Sequence, residues 1–206
     1  MDQVNYLLLP FVEIEVRFGT INNNRFDSNI DKKYFNKLLS VLEKNSWVCT
    51  ELKNTNEYFV DQSKKLIIDT DNSKKVIIKE KVKTVDISCY DNPFDIRLTV
   101  NQEFNLNSQA EQVAKKIESG TVPGLRKKNR KSFIDTHFRY DLTCVEEIID
   151  NIVREKFELE LEIIINNENI HWTKDYLVEF IRCKIYDIFN IIETTPFDEF
   201  KLNIEI

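Results

Sequence analysis

Glycine and proline are scarce, with 3 Gly and 4 Pro in 206 residues. Flexible linkers draw on those residues, so the shortage argues for one domain, spanning 1–206, rather than two. The length suffices for a single large β-rich core. Histidine is rarer still, with 2 in the chain, and the four cysteines (Cys49, Cys89, Cys144, Cys183) lie far apart and form no CxxC pair. That pattern argues against zinc and fits reduced thiols in an intracellular, cytoplasmic setting. No apolar run is long enough to span a bilayer, which predicts no membrane partner. The stretch Tyr6-Leu7-Leu8-Leu9-Pro10 lacks the basic flank and small-residue cleavage site of a secretory signal. Basic residues do not outnumber acidic ones: 29 Lys and Arg stand against 35 Asp and Glu, a net charge of −6. A general basic field for gripping nucleic acid is therefore missing, and phosphate binding has to come from local clusters.

What the chain has is alternation. In Glu158-Leu159-Glu160-Leu161-Glu162 the three glutamates share one face of a strand, while Phe157, Leu159, Leu161 and Ile163 share the other. Glu13, Glu15 and Arg17 alternate in the same way with Ile14, Val16 and Phe18. Further strands are predicted at 47–53, 56–61, 65–70, 76–85, 94–105, 126–134 and 138–145, with a last one at Glu199–Ile206. The first strand, 11–18, is expected to end at Gly19, and 146–151 to form a turn. Helical stripes of apolar residues fall at 31–45, 108–119 and 173–192. Strands joined in sequence by short turns pair antiparallel.

The polar faces are sorted by sign. Carboxylates mark the strands of Glu13 and Glu15 and of Glu158, Glu160 and Glu162, whereas cations mark those of Lys79, of Lys128 and Arg130, and of Arg139. Three amphipathic helices need an apolar surface to cover, and the apolar faces of the strands supply it. A closed antiparallel barrel of about eight strands, with helices outside and a charged lumen, satisfies both demands. Two carboxylates about 4 Å apart repel by roughly 4 kcal/mol at an effective dielectric of 20, so several in one cavity take up protons or bind a cation. Carboxylate oxygens without His or Cys suit a hard divalent ion, Mg²⁺ or Mn²⁺. Facing lysines and arginines suit a polyanion such as triphosphate.

Five segments in order carry a resemblance: Glu13-Ile14-Glu15 with Phe18-Gly19, Phe94-Asp95-Ile96-Arg97 leading to Glu103, Lys128-Asn129-Arg130-Lys131-Ser132, Arg139-Tyr140-Asp141-Leu142-Thr143, and Glu158 to Glu162. Together the chain resembles the metal-dependent RNA 5′-triphosphatases of fungi, protozoa and large DNA viruses, within the triphosphate tunnel metalloenzymes, and is similar to the giant-virus capping-enzyme type. The resemblance implies hydrolysis of the γ-phosphate of triphosphate-ended RNA in cap formation, with a guanylyltransferase acting next, in cis or in trans. For a viral chain it implies a virion or viral-factory setting. It implies Glu13, Glu15 and Glu162 as metal ligands, with Glu160 at the metal directly or through water. Lys128 and Arg130 would bind the γ-phosphate, Lys79 and Arg139 would contact phosphate or position the carboxylates, and Lys65 would stand where the family has an arginine. Glu103, helped by Glu160, would orient the attacking water, Asp141 would hold Arg139 or a neighbouring cation, and Glu158 would support a lumen lysine. Arg97 is either a further supporting residue or a salt bridge at the rim. Lys81 and Lys83 are expected to be solvated and Asp95 to organise a turn. Two alternatives stay open: a lumen that prefers free nucleoside triphosphates or inorganic tripolyphosphate, and a noncatalytic barrel that binds polyanions.

Overall fold

The structure is a computed structural model and describes residues 11–44, 49–61, 63–90, 92–119, 124–150 and 152–192. Strand β1 (Val12–Asn22) turns through Asn23 and Asn24 into a short β2 (Arg25–Asp27), followed by helix α1 (Lys32–Lys44). Both asparagines hold positive φ, 50° and 58°, the left-handed backbone that a tight hairpin demands and that asparagine tolerates. Then come β3 (Cys49–Phe59), β4 (Lys64–Asp69), β5 (Lys74–Ile87) and β6 (Asp95–Asn105). A 3₁₀ turn leads into α2 (Ala110–Glu118), and β7 (Leu125–Ile134), β8 (Phe138–Ile149), β9 (Ile152–Ile163) and α3 (Lys174–Ile192) complete the described chain.

The strands form one antiparallel sheet in the order β2-β1-β6-β5-β4-β3-β7-β8-β9, and pairing of β1 with β9 closes it. The result is the expected eight-stranded barrel, with β2 as an additional strand on β1. Outward faces carry the core. Ile14, Val16 and Phe18 of β1, Ile96 and Leu98 of β6, and Leu159 and Leu161 of β9 are all buried with Leu38 and Leu42 of α1 and with Ile181, Ile185 and Phe189 of α3. Each such side chain contributes roughly 1.5–3 kcal/mol by leaving water. Tyr140, fully buried among them, donates its hydroxyl to the Lys184 carbonyl of α3 at 2.8 Å. A second, smaller cluster joins Leu66 and Val76 to Ala110, Val113 and Ala114 of α2. The helices thus hold the barrel from outside and leave its interior to the charged faces.

Several boundaries differ from the sequence expectation. The strands expected at 47–53 and 56–61 are one continuous β3, because Asn54 and Thr55 keep their ladder partners Asn129 and Lys128 on β7. β1 passes straight through Gly19 to Asn22. β8 and β9 extend toward each other as far as Ile149 and Ile152, so most of 146–151 is strand rather than turn. β5 contains a bulge between Lys81 and Lys83. The extra residue exchanges the two faces of the strand, so Val85 and Ile87 reach the core while Lys81 and Lys83 are exposed. The strand expected at Glu199–Ile206 lies outside the described residues.

At one end of the barrel the chain after β2 is laced onto β9. The Ser28 hydroxyl donates to Glu158 at 2.9 Å, the Phe157 N–H donates to the Asn29 side chain at 2.9 Å, and the Ile30 N–H donates to the Phe157 carbonyl at 2.8 Å. Gly19 permits this approach: a Cβ there would lie 2.0 Å from the Asp27 carbonyl oxygen. At the other end a cavity of about 530 Å³ opens between Phe11, Asn105 and 163–165.

Candidate active site

Alternation along the strands sends every second residue into that cavity. Its walls include Glu13, Glu15 and Arg17 of β1, Glu160 and Glu162 of β9, and Arg139 of β8. Lys128 and Arg130 of β7, Glu57 of β3, Lys65 of β4, Lys79 of β5 and Glu103 of β6 add further charges to the lining. The acidic strands β1 and β9 are direct neighbours, with Glu15 opposite Glu162 and Arg17 opposite Glu160. Cationic strands make up most of the rest of the circumference.

Each of these charges has been drawn to an opposite one. Lys79 donates to Glu13 at 2.5 and 2.7 Å and lies 3.5 Å from Glu103 and 3.8 Å from Glu15. Arg139 donates to Glu162 at 2.6 Å and to Asp141 at 3.1 Å. Arg130 reaches Asp141 at 2.9 Å and Glu160 at 3.4 Å. Asp141, with 0 % of its surface exposed, also accepts the Ser132 hydroxyl at 2.6 Å, so one buried carboxylate orients both arginines. Lys128 pairs with Glu57 at 2.9 Å, and Lys65 lies 3.6 Å from the same carboxylate. Arg17 pairs with Glu15 and, at 3.1 Å, with Glu160.

The acidic wall is nonetheless in surplus. Burial pushes the Glu162 carboxyl up to about 7, with the charges of Glu13 and Asp141 adding to the effect and Arg139 only partly opposing it. Burial also raises Glu15, helped by Glu160 and Glu13 against the pull of Arg17 and Lys79. Glu160 is the exception: burial acts upward, but Arg17 and Arg130 overcome it and hold the carboxylate well below its usual range. On the opposite wall burial again acts upward on Glu57, and Lys128 and Lys65 pull it down to about 2. Lys65 itself is lowered by burial and by the neighbouring charges of Lys128 and Lys79, against the pull of Glu57.

Whether these residues fit a divalent cation can be judged from Glu15. Its Oε1 is buried and lies against Arg17 Nε in an ion pair, yet neither atom makes a hydrogen bond. A buried carboxylate oxygen whose close neighbour is Arg17, in an acidic wall where the Glu162 carboxyl is pushed up to about 7, is a donor that a hard dication would satisfy. Among the described residues no three carboxylates converge as a ready ligand cluster, because Lys79, Arg17 and Arg139 hold them apart. The donor chemistry fits, and the internal cations occupy the ligand oxygens.

The structure brings together Glu13, Glu15, Glu103, Glu160, Glu162, Lys65, Lys79, Lys128, Arg130 and Arg139 around one cavity, with Asp141 directly behind two of them. Two supporting roles change. Glu158 pairs not with a lumen lysine but with Arg126 at 2.5 Å and with Ser28, at the laced end. Arg97 stands apart from the cavity and forms two hydrogen bonds with Asp86, at 2.6 and 2.8 Å, under the ring of Phe26. It is a salt bridge of the laced end rather than a supporting residue of the site. Asp95 organises a turn as expected, accepting the N–H groups of Ile21 and Cys89.

The expectation of separate strands at 47–53 and 56–61 parts Glu57 from the residues that share its face. Read as one strand, Glu51, Lys53, Thr55 and Glu57 share a face and point to the lumen as a set. The lumen position of Arg17 is signalled by its two-residue spacing from Glu15, and Arg126 by its spacing from Lys128.

Comparison with known proteins agrees with this geometry. The profile of the family described as "mRNA capping enzyme, beta chain" matches residues 22–175. A search among curated proteins finds no match to the chain. Among solved structures the barrel is similar to the Pct1 RNA triphosphatase of S. pombe, with a TM-score of 0.69 and 17% identity over 94% of this chain and 90% of that one. It is also similar to the Mimivirus capping enzyme triphosphatase, with a TM-score of 0.58 and 17% identity over 92% of each chain. At that identity the structures establish a shared fold; the profile, covering most of the chain, establishes the family. The chain belongs to the mRNA capping enzyme beta-chain family, the metal-dependent mRNA 5′-triphosphatases.

Proposed function

We propose that the lumen cleaves the β–γ phosphoanhydride of triphosphate-ended RNA with Mg²⁺ or Mn²⁺ held by Glu13, Glu15 and Glu162, and with Glu160 beside them. The observation that carries this reading is a single cavity with carboxylates on β1 and β9 facing Lys65, Lys79, Lys128, Arg130 and Arg139. A pure anion binder gains nothing from an acidic wall, and a pure cation binder gains nothing from five facing cations. When bound, the cation supplies fixed positive charge against the γ-phosphate oxygens.

The chain's own residues then have distinct tasks. Lys128 and Arg130 neutralise the charge that spreads over the transferring phosphoryl group. Asp141 keeps Arg130 and Arg139 in place. Lys79 and Lys65 hold the remaining phosphate oxygens. Glu103, 3.5 Å from Lys79, orients water with Glu160. The water oxygen bonds to the γ-phosphorus as the bond from phosphorus to the bridging oxygen breaks. The bridging oxygen departs with the β-phosphate, and the water proton passes to a lumen carboxylate. The products are inorganic phosphate and a diphosphate RNA end, the substrate for a guanylyltransferase in cis or in trans.

Glu15→Ala and Glu162→Ala test the assignment. Each is expected to lower turnover at least a hundredfold, with far-UV circular dichroism and thermal melting close to those of the parent protein. Near-normal turnover in either variant would remove that residue from the metal site.

A further inference from the structure

The mouth of the cavity differs in character from its interior. Phe11 continues the inward-facing series of Glu13 and Glu15 and lines the cavity. Its carbonyl accepts the N–H of Glu103 at 2.8 Å, which pins it to the residue placed at the attacking water. The Phe11 ring lies against that of Phe104, with centroids 6.3 Å apart and planes within 17°, an offset-stacked pair. Both rings remain open to solvent, at 40% and 38%. The exposed Phe11 ring at the lip of the charged tunnel, backed by Phe104 from the other face of β6, makes an apolar ledge.

Lys75 lines the same mouth. Lys65, Lys79, Lys128, Arg130 and Arg139 each have a carboxylate partner within 4 Å. Lys75 has no such partner among the described residues.

We propose that Phe11, backed by Phe104, stacks the first base of the RNA, and that Lys75 takes the phosphodiester that follows it. This subsite rests on the RNA triphosphatase reading above and would set the preference for RNA over free tripolyphosphate. The geometry suits it: Phe11 lies four residues from Glu15, roughly 13 Å along the strand at about 3.3 Å per residue. That leaves room for a triphosphate and ribose between the acidic wall and the ledge. Every base has a π-face, so an aromatic ledge is tolerant of sequence, as an enzyme acting on many transcripts requires. Inorganic tripolyphosphate has neither base nor phosphodiester and would touch neither Phe11 nor Lys75.

The test is the KM for a triphosphate-ended oligoribonucleotide divided by the KM for inorganic tripolyphosphate, both with Mn²⁺. Phe11→Ala is expected to raise this ratio about tenfold, equivalent to about 1.4 kcal/mol, and Phe11→Tyr to restore it. Phe104→Ala should raise it less, and Lys75→Met should raise it most at low salt. Equal changes in both KM values would overturn the subsite and leave the triphosphatase reading intact. A parent protein that cleaves tripolyphosphate but not the oligoribonucleotide would overturn both.

Discussion

Glu57→Gln isolates one electrostatic contact. The Glu57 carboxylate is 6% exposed and lies 2.9 Å from Lys128 and 3.6 Å from Lys65. Although burial opposes ionisation, the two lysines bring its carboxyl from the ordinary 4.5 to about 2. At 1.36 kcal/mol per pH unit, that displacement corresponds to about 3 kcal/mol of stability. The sign follows from the direction. A carboxyl depressed in the folded state stabilises above its unfolded value near 4.5, and the contribution is lost as pH falls from there toward 2. The amide cannot ionise, so Glu57→Gln should cost about 3 kcal/mol at pH 7 and progressively less below pH 4.5. Urea unfolding of both proteins at pH 7, 5 and 3 measures the difference. A variant within about 0.5 kcal/mol of the parent at pH 7, or a difference that does not shrink by pH 3, would refute the electrostatic account of this pair.

Other substitutions probe the remaining supports. Asp141→Ala leaves Arg130 and Arg139 without their shared buried partner and should destabilise the fold by about 3–5 kcal/mol, measured by denaturation, with turnover falling more steeply than in Ser132→Ala. Gly19→Ala drives a methyl group into the Asp27 carbonyl and should cost about 1–3 kcal/mol, with faster amide exchange in 25–30 as the direct sign. Arg97→Met, which breaks only the Asp86 pair and the Phe26 contact, should change turnover less than twofold; a loss above tenfold would return Arg97 to the site.

Much of the barrel was legible because its two faces obey different chemistry. Strict alternation in Glu13–Phe18 and Phe157–Ile163 assigns carboxylates to one side and core to the other, and α3 declares its apolar stripe through Ile181, Ile185 and Ile188. The site followed from the same parity, since residues two apart on a strand must share a face. What was illegible depended on contacts between distant segments. Asn54 and Thr55 look like a turn, yet β7 supplies their hydrogen bonds and keeps β3 intact. The bulge after Lys81 cannot be placed without knowing that Lys83 faces Val100. Glu158 is indistinguishable from Glu160 in the sequence, and only the approach of Ser28 and Arg126 assigns it to the laced end. The pairing of Arg17 with two acids likewise needs closure of β1 against β9.

Release of labelled phosphate from RNA carrying a γ-labelled 5′-triphosphate, with and without Mg²⁺ or Mn²⁺, tests the central claim most directly. The account predicts release of γ-phosphate and a diphosphate RNA end with either ion, and loss of both on chelation. Undiminished release after chelation, or none with either metal, would contradict it.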